Sequence, residues 1–118
     1  MTMGALDKRR KLLLEIGQNE EALEKTSLQL KELESQLLET DRIFRRGNEL
    51  FQEISESWKG ERANRFLDQS FHHYRELSKQ IQGEFHDHKE ELLEKRRQLS
   101  KQTELLQKAY AELKTREQ

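Results

Sequence analysis

Ser55-Glu56-Ser57-Trp58-Lys59-Gly60-Glu61-Arg62-Ala63 lies at the middle of the 118-residue chain and holds its only Trp. The sequence on either side reads as helix, and this stretch breaks it. Gly60 suits a backbone position just past a helix end, where a Cβ would clash. Glu61 then falls in the first turn of a following helix, where the helix dipole favours a negative charge. The stretch predicts a bend at Trp58-Lys59-Gly60 between two helical arms.

Counting back in sevens from the bend gives Trp58, Phe51, Phe44, Leu37, Leu30, Leu23 and Ile16, all apolar. A repeat of seven held this long describes a helix underwound so that one seam keeps facing a neighbour. Beyond the bend the same count gives Phe71, Ser78, Phe85, Leu92, Leu99, Leu106 and Leu113, with a companion stripe of Leu67, Tyr74, Ile81, His88, Lys95, Gln102 and Ala109. Arm one is expected from about 7 to 57 and arm two from about 61 to 114. Folding back places Phe44 near Tyr74, Phe51 near Leu67 and Leu37 near Ile81. The fold class is all-α: one domain, 1–118, built as a long, coiled-coil-like antiparallel two-helix hairpin. Gly47-Asn48 and Gly17-Gln18-Asn19 are competing breaks, but the apolar register runs through both, so arm one is read as continuous.

Composition agrees. Charged residues make up 38% of the chain, hydrophobic residues 32%, and mean hydropathy is −1.12. Those values fit either a disordered chain or a thin helical one. The absence of Pro and the dominance of Ala, Glu, Lys, Leu and Arg select the helix. A net charge of −1 provides no global field for nucleic acid or anionic lipid. The basic clusters Lys8-Arg9-Arg10-Lys11, Arg42/Arg45/Arg46 and Lys95-Arg96-Arg97 are interleaved with acids, as solvated helix faces are. No Cys is present, so disulfides and thiolate metal sites are excluded. Glu15 cuts short the apolar run Leu12-Leu13-Leu14, which is therefore read as neither a signal peptide nor a membrane span.

No phosphate loop, nucleophile elbow or His-Glu-x-x-His pattern occurs, and the expectation is a non-enzyme without cofactor or metal. His72, His73, His86 and His88 read as surface histidines, with His88 at a seam position. The chemistry is expected instead from apolar surface. Phe66, Leu77, Leu92, Leu93 and Leu105 lie beside the main seam, more than a two-helix contact needs, and the Leu stripe of arm one meets His88, Lys95 and Gln102 as a poor lid. An apolar face needs a second layer over it. The expectation is therefore a helical bundle completed by a partner chain, with Leu23, Leu30, Leu37, Phe66, Leu77, Leu92, Leu93, Leu99 and Leu106 as partner-binding residues.

Trp58-x-Gly60 between two matched helical arms resembles the signature turn of the WXG (ESX-type) helical-hairpin family of type VII secretion. With Glu49-Leu50-Phe51-Gln52-Glu53-Ile54 running into the bend, the layout is most similar to the small helical adaptors associated with LXG-domain toxins of Gram-positive bacteria. Two features depart from the wider family and suit this subgroup. The arms are longer, and four residues after Tyr110 stands Lys114 where the family's export signal has an acid. The resemblance implies a cytoplasmic targeting adaptor or chaperone. It would bind the helical N-terminal (LXG-type) domain of a secreted toxin, alone or with a second small adaptor, and be exported with it by a route that reads no signal peptide. It implies no nucleic-acid partner and no membrane insertion. The alternatives are a self-associating structural coiled coil, homodimeric in isolation, and a cytosolic helical-hairpin chaperone of another secretion system.

Overall fold

A computed structural model describes residues 4–116. Two helices account for nearly all of them: α1 (Ala5–Ser57) and α2 (Glu61–Arg116). The expected hairpin is thus the observed one, each helix running two residues further at its outer end than the periodicity placed it. The chain forms two compact units, one of residues 32–89 that contains the bend, and one of residues up to 31 together with those from 90 onward.

The bend is built as the sequence suggested. The Trp58 N–H donates to the Ile54 carbonyl at 2.8 Å and closes the last turn of α1, while the Asn64 N–H donates to the Gly60 carbonyl at 2.9 Å and opens α2. Gly60 has a φ of +125°, which a side chain would disfavour. The Ser57 hydroxyl donates back to the Glu53 and Ile54 carbonyls at 3.2 and 3.3 Å, so that its own donor is satisfied within the last turn. Glu61 pairs with Arg65 at 3.2 Å, one turn on.

In the bend unit the helices meet through aromatic rings. Phe44 packs edge-on against Tyr74 at 5.2 Å, and Phe51 against Phe71 and Tyr74 at 5.6 and 5.3 Å. Partners descend along α2 as they ascend along α1, so the pairing is antiparallel. Leu33, Phe44, Ala63 and Leu67 are buried here. The Tyr74 hydroxyl crosses to α1 and donates to the Phe44 carbonyl at 3.0 Å and the Ile43 carbonyl at 3.3 Å. Room for that ring comes from Gly47: a Cβ there would overlap the Tyr74 hydroxyl and Cζ. Gly47 is therefore a site of close approach inside a helix that runs unbroken through it, as expected.

In the other unit Arg9 lies over the Tyr110 ring, its Cζ 5.8 Å from the centroid. Ile16, Leu30 and Leu92 are buried, as are Thr26 and Thr103. The two threonine hydroxyls each donate to a carbonyl one turn back, Ala22 and Leu99, at 2.7 Å. That local bond lets a polar residue sit in the seam without an orphaned donor. The expected companion stripe needs correcting at this point. His88, Lys95 and Gln102 are all exposed, and Thr103 is buried instead of Gln102. A four-residue step from Leu99 to Thr103 keeps the seam covered with a side chain that satisfies itself, whereas Lys95 and Gln102 would bring unpaired polar groups inside.

Surface ion pairs such as Asp41–Arg45 at 3.0 Å and Arg46–Glu49 at 3.0 Å link neighbouring turns. At roughly 0.3–0.5 kcal/mol each they support helix but do not choose the fold. The seam chooses it.

Gly47→Ala is expected to destabilise the chain by about 1–3 kcal/mol, the range for overpacking. In a Tyr74→Ala background the same change is expected to stabilise by up to about 1 kcal/mol, as Gly to Ala does inside an open helix. Gly83→Ala, where a Cβ meets nothing within 4 Å, is expected to stabilise in both backgrounds. Urea melts followed by circular dichroism read all three signs.

Burial pushes the Tyr74 phenol above its ordinary value of 10.0. The folded chain then holds this proton to higher pH than the unfolded chain does. The contribution is fully present below pH 10.0 and is lost as pH rises through the folded value. Denaturant melts at rising alkaline pH are expected to show this loss in the native chain and less of it in Tyr74→Phe.

Candidate partner-binding surface

The expected binding residues divide by burial. Leu30 and Leu92, with 5% and 7% of their surface exposed, belong to the hairpin's own seam. Their heptad positions are occupied within the chain itself. Leu23, Leu37, Leu93, Leu99 and Leu106 are half-buried and offer only edges. Phe66 and Leu77 are open, at 58% and 50%. Trp58 is 47% exposed at the bend, and Gly60 beside it is exposed. Leu37, Trp58, Gly60, Phe66 and Leu77 fall in the bend unit, the others in the second unit.

Sequence reasoning did not count Ile43, Leu50 or Ile54 among the partner-binding residues. All three are exposed. Successive helical residues turn by about 100°, so Ile43, Leu50, Ile54 and Trp58 fall within an arc of about 80° on α1 and its continuation. Phe66 and Leu77, eleven residues apart, lie about 20° from each other on α2. Ile43 and Leu50 each precede a core residue, Phe44 and Phe51. Phe66 precedes the buried Leu67, and Leu77 the half-buried Ser78. On antiparallel helices, residues that precede seam positions project to the same side of the pair. Trp58 and Phe66 join the two rows at the bend, their rings edge to face at 5.6 Å.

The opposite side of the bend unit is different in kind. Residues that follow the seam there are polar: Gln52, Asp68, Arg75 and Lys79. A cleft of about 480 Å³ on that side has Phe51, Leu67 and Phe71 below a rim of Asn48, Gln52, Ser55 and Asp68. Arg75 caps the Phe71 ring there, its Cζ 5.6 Å from the centroid. The bend unit therefore has one flank with large apolar side chains, interrupted on α2 by Ser70 and His73, and one polar flank.

The signal for the apolar flank was present in the sequence. Counting in sevens assigned Phe44 and Phe51 to the seam and passed over Ile43 and Leu50, which repeat at the same interval one residue earlier. Periodicity alone does not say which of two adjacent apolar stripes faces inward.

The four histidines are exposed, with the His72 and His73 rings 6.2 Å apart. Among the described residues no group of three or more His, Cys, Asp or Glu converges on one point. No helix among the described residues is long and apolar enough to cross a membrane. Comparison with known proteins finds no matching family model, no matching curated protein and no matching solved structure.

Leu30→Asp and Leu92→Asp are expected to cost about 3 kcal/mol or more each, because each buries a charge in the seam. Leu77→Asp is expected to change stability by about 0.5 kcal/mol or less, and Phe66→Asp, which also loses the ring contact with Trp58, by about 1 kcal/mol. Thermal and urea melts of the four variants give the division directly.

Proposed function

We propose that this chain is a non-enzymatic, helix-presenting adaptor that binds the helical N-terminal domain of a type VII secretion toxin and readies it for export. The single observation that supports the reading is the apolar flank of the bend unit: large side chains held in water on two rigid helices, beside a core already closed without them. Six side chains, Ile43, Leu50, Ile54, Trp58, Phe66 and Leu77, are each about half exposed. Taking about 200 Å² for each aromatic side chain and the lower end of the ~150–250 Å² range for Ile and Leu, the six together present on the order of 500 Å². Patches of that size lie at the upper end for monomers and mark interaction surfaces.

The toxin and the secretion route come from the resemblance at Trp58-x-Gly60 and the hairpin built around it. In this reading the adaptor acts in the cytoplasm, where its flank covers apolar helices that would otherwise aggregate. The complex then presents an export surface that neither chain carries alone. Trp58 fits a double role, packing on Phe66 along one edge and leaving the rest of its ring for the partner.

Co-expression with a neighbouring open reading frame whose product has a long helical N-terminal region tests this. The two chains are expected to co-purify, with at least a tenfold loss of recovered partner for Leu50→Asp combined with Phe66→Asp. Gln52→Asp on the polar flank is expected to leave recovery unchanged. Absence of co-purification with the native chain would remove the toxin-adaptor reading.

A further inference from the structure

We infer that one face of the first turns of α1, formed by Leu6, Arg10, Leu13 and Leu14 with Lys11 at its edge, adsorbs to an anionic phospholipid surface. The helix would lie in the plane of the headgroups without crossing them. The inference stands on the charge and apolar pattern of this unit and is independent of the toxin-adaptor reading.

The net charge of −1 conceals a segregation. Residues 1–14 and 106–118 carry seven basic and three acidic side chains, a net +4. Residues 15–105 carry fifteen basic and twenty acidic ones, a net −5. The fold brings the two basic segments together, with Arg9 over the Tyr110 ring. Lys8, Arg10, Lys11, Lys114 and Arg116 are exposed. Arg10 and Lys11 enter no ion pair among the described residues. At a Debye length of about 8 Å, acids farther along the helices do not cancel this local excess.

Apolar surface lies among these charges. At about 100° per residue, Leu6, Arg10, Leu13 and Leu14 fall within an arc of about 100° on α1, with Lys11 about 60° beyond Leu14. The three leucines are 58%, 50% and 63% exposed. Arg10 follows Arg9, which lies against Tyr110, and on α2 Lys114 follows the half-buried Leu113. Residues that follow seam positions share one side of an antiparallel pair, so Lys114 adds a charge beside Arg10. Glu20, Glu21 and Glu104 close the face at its inner end. From Leu6 to Gly17 it rises roughly 16 Å.

The combination of charge and leucine selects the occupant. Headgroup phosphates supply the anions and the adjoining acyl region takes the leucines, while long Arg and Lys stems keep their charges at the phosphates. Each basic group near such a surface strengthens binding roughly fivefold. Three half-exposed leucines present on the order of 250 Å², well below the ~800 Å² per partner of a standard protein interface. A nucleic acid would satisfy the basic groups and leave the leucines in water. A second copy meets the patch with the same sign at its own basic segments and with balanced charge at its bend, where Glu53, Glu56 and Glu61 match Lys59, Arg62 and Arg65.

The test is flotation of the purified full-length chain with phosphatidylcholine vesicles, alone or with one-third phosphatidylglycerol. Binding is expected to the anionic vesicles, at least tenfold weaker to the neutral ones, and to fall as salt rises. Arg10→Glu combined with Lys11→Glu is expected to weaken it at least tenfold. Leu13→Ser combined with Leu14→Ser, which leaves the charge unchanged, is expected to do the same. Lys95→Glu combined with Arg96→Glu, an equal charge change away from the face, is expected to leave binding within about twofold. Circular dichroism confirms that each variant is folded. Equal affinity for both vesicles, or binding that survives either variant of the face, overturns the inference. So does duplex DNA bound through Arg10 and Lys11 with vesicles left unbound, or a dimer by light scattering that the leucine variant dissolves. Vesicle binding without co-purification of any toxin domain would leave this inference standing and remove the secretion role.

Discussion

The Tyr74 hydroxyl donates across the hairpin to the backbone carbonyls of Phe44 and Ile43, and the arrangement of the bend unit depends on it. A phenol can reach those carbonyls only where α1 has no side chain in its path, and Gly47 provides that opening. The contact fixes three things together: the rotation of α2 about its axis, its register along α1, and the pairing of Phe44 and Phe51 with the rings of α2. A Leu seam is tolerant of sliding by a turn, because one Leu replaces another. A tyrosine inserted over a glycine is not, since every other register sets the ring against a Cβ.

Once register and rotation are fixed, the exposed flank is a consequence. With Phe44, Phe51, Leu67 and Tyr74 turned inward, the residues immediately before seam positions turn to one side. In this sequence those include Ile43, Leu50, Phe66 and Leu77. Residues immediately after seam positions turn to the other side and include Gln52, Asp68, Arg75 and Lys79. The seam and the flank are therefore coupled. A rotation of α2 that buried Phe66 would also lift Tyr74 from α1. The apolar flank persists because closing it from within would cost the tyrosine's two hydrogen bonds and the ring contacts beneath them.

The unit formed by the two chain ends follows a plainer logic. Its seam is aliphatic, with Ile16, Leu30 and Leu92 buried, and it admits two threonines that bond to their own helix. Such polar seam positions are hard to read from sequence, because a threonine at the same spacing on a solvent face has the same appearance. The placing of Gln102 in the seam, where Thr103 stands, has this origin.

The sequence alone determined the helices, the bend and the antiparallel return. Heptad spacing, absence of Pro and the Trp58-Lys59-Gly60 break are local properties, and local hydrogen bonding and chain stiffness turn them into structure with little help from elsewhere. It also determined that apolar residues outnumber what one seam can hold. Which of them the seam takes was decided only in the tertiary structure. Leu30 and Leu92 were expected at a partner surface and lie inside, while Ile43 and Leu50 went uncounted and lie outside. The reason is that a stripe's inward or outward sense depends on how the opposing helix is rotated. Here one residue on that helix sets the rotation, Tyr74, reaching across to a glycine twenty-seven positions earlier in the chain.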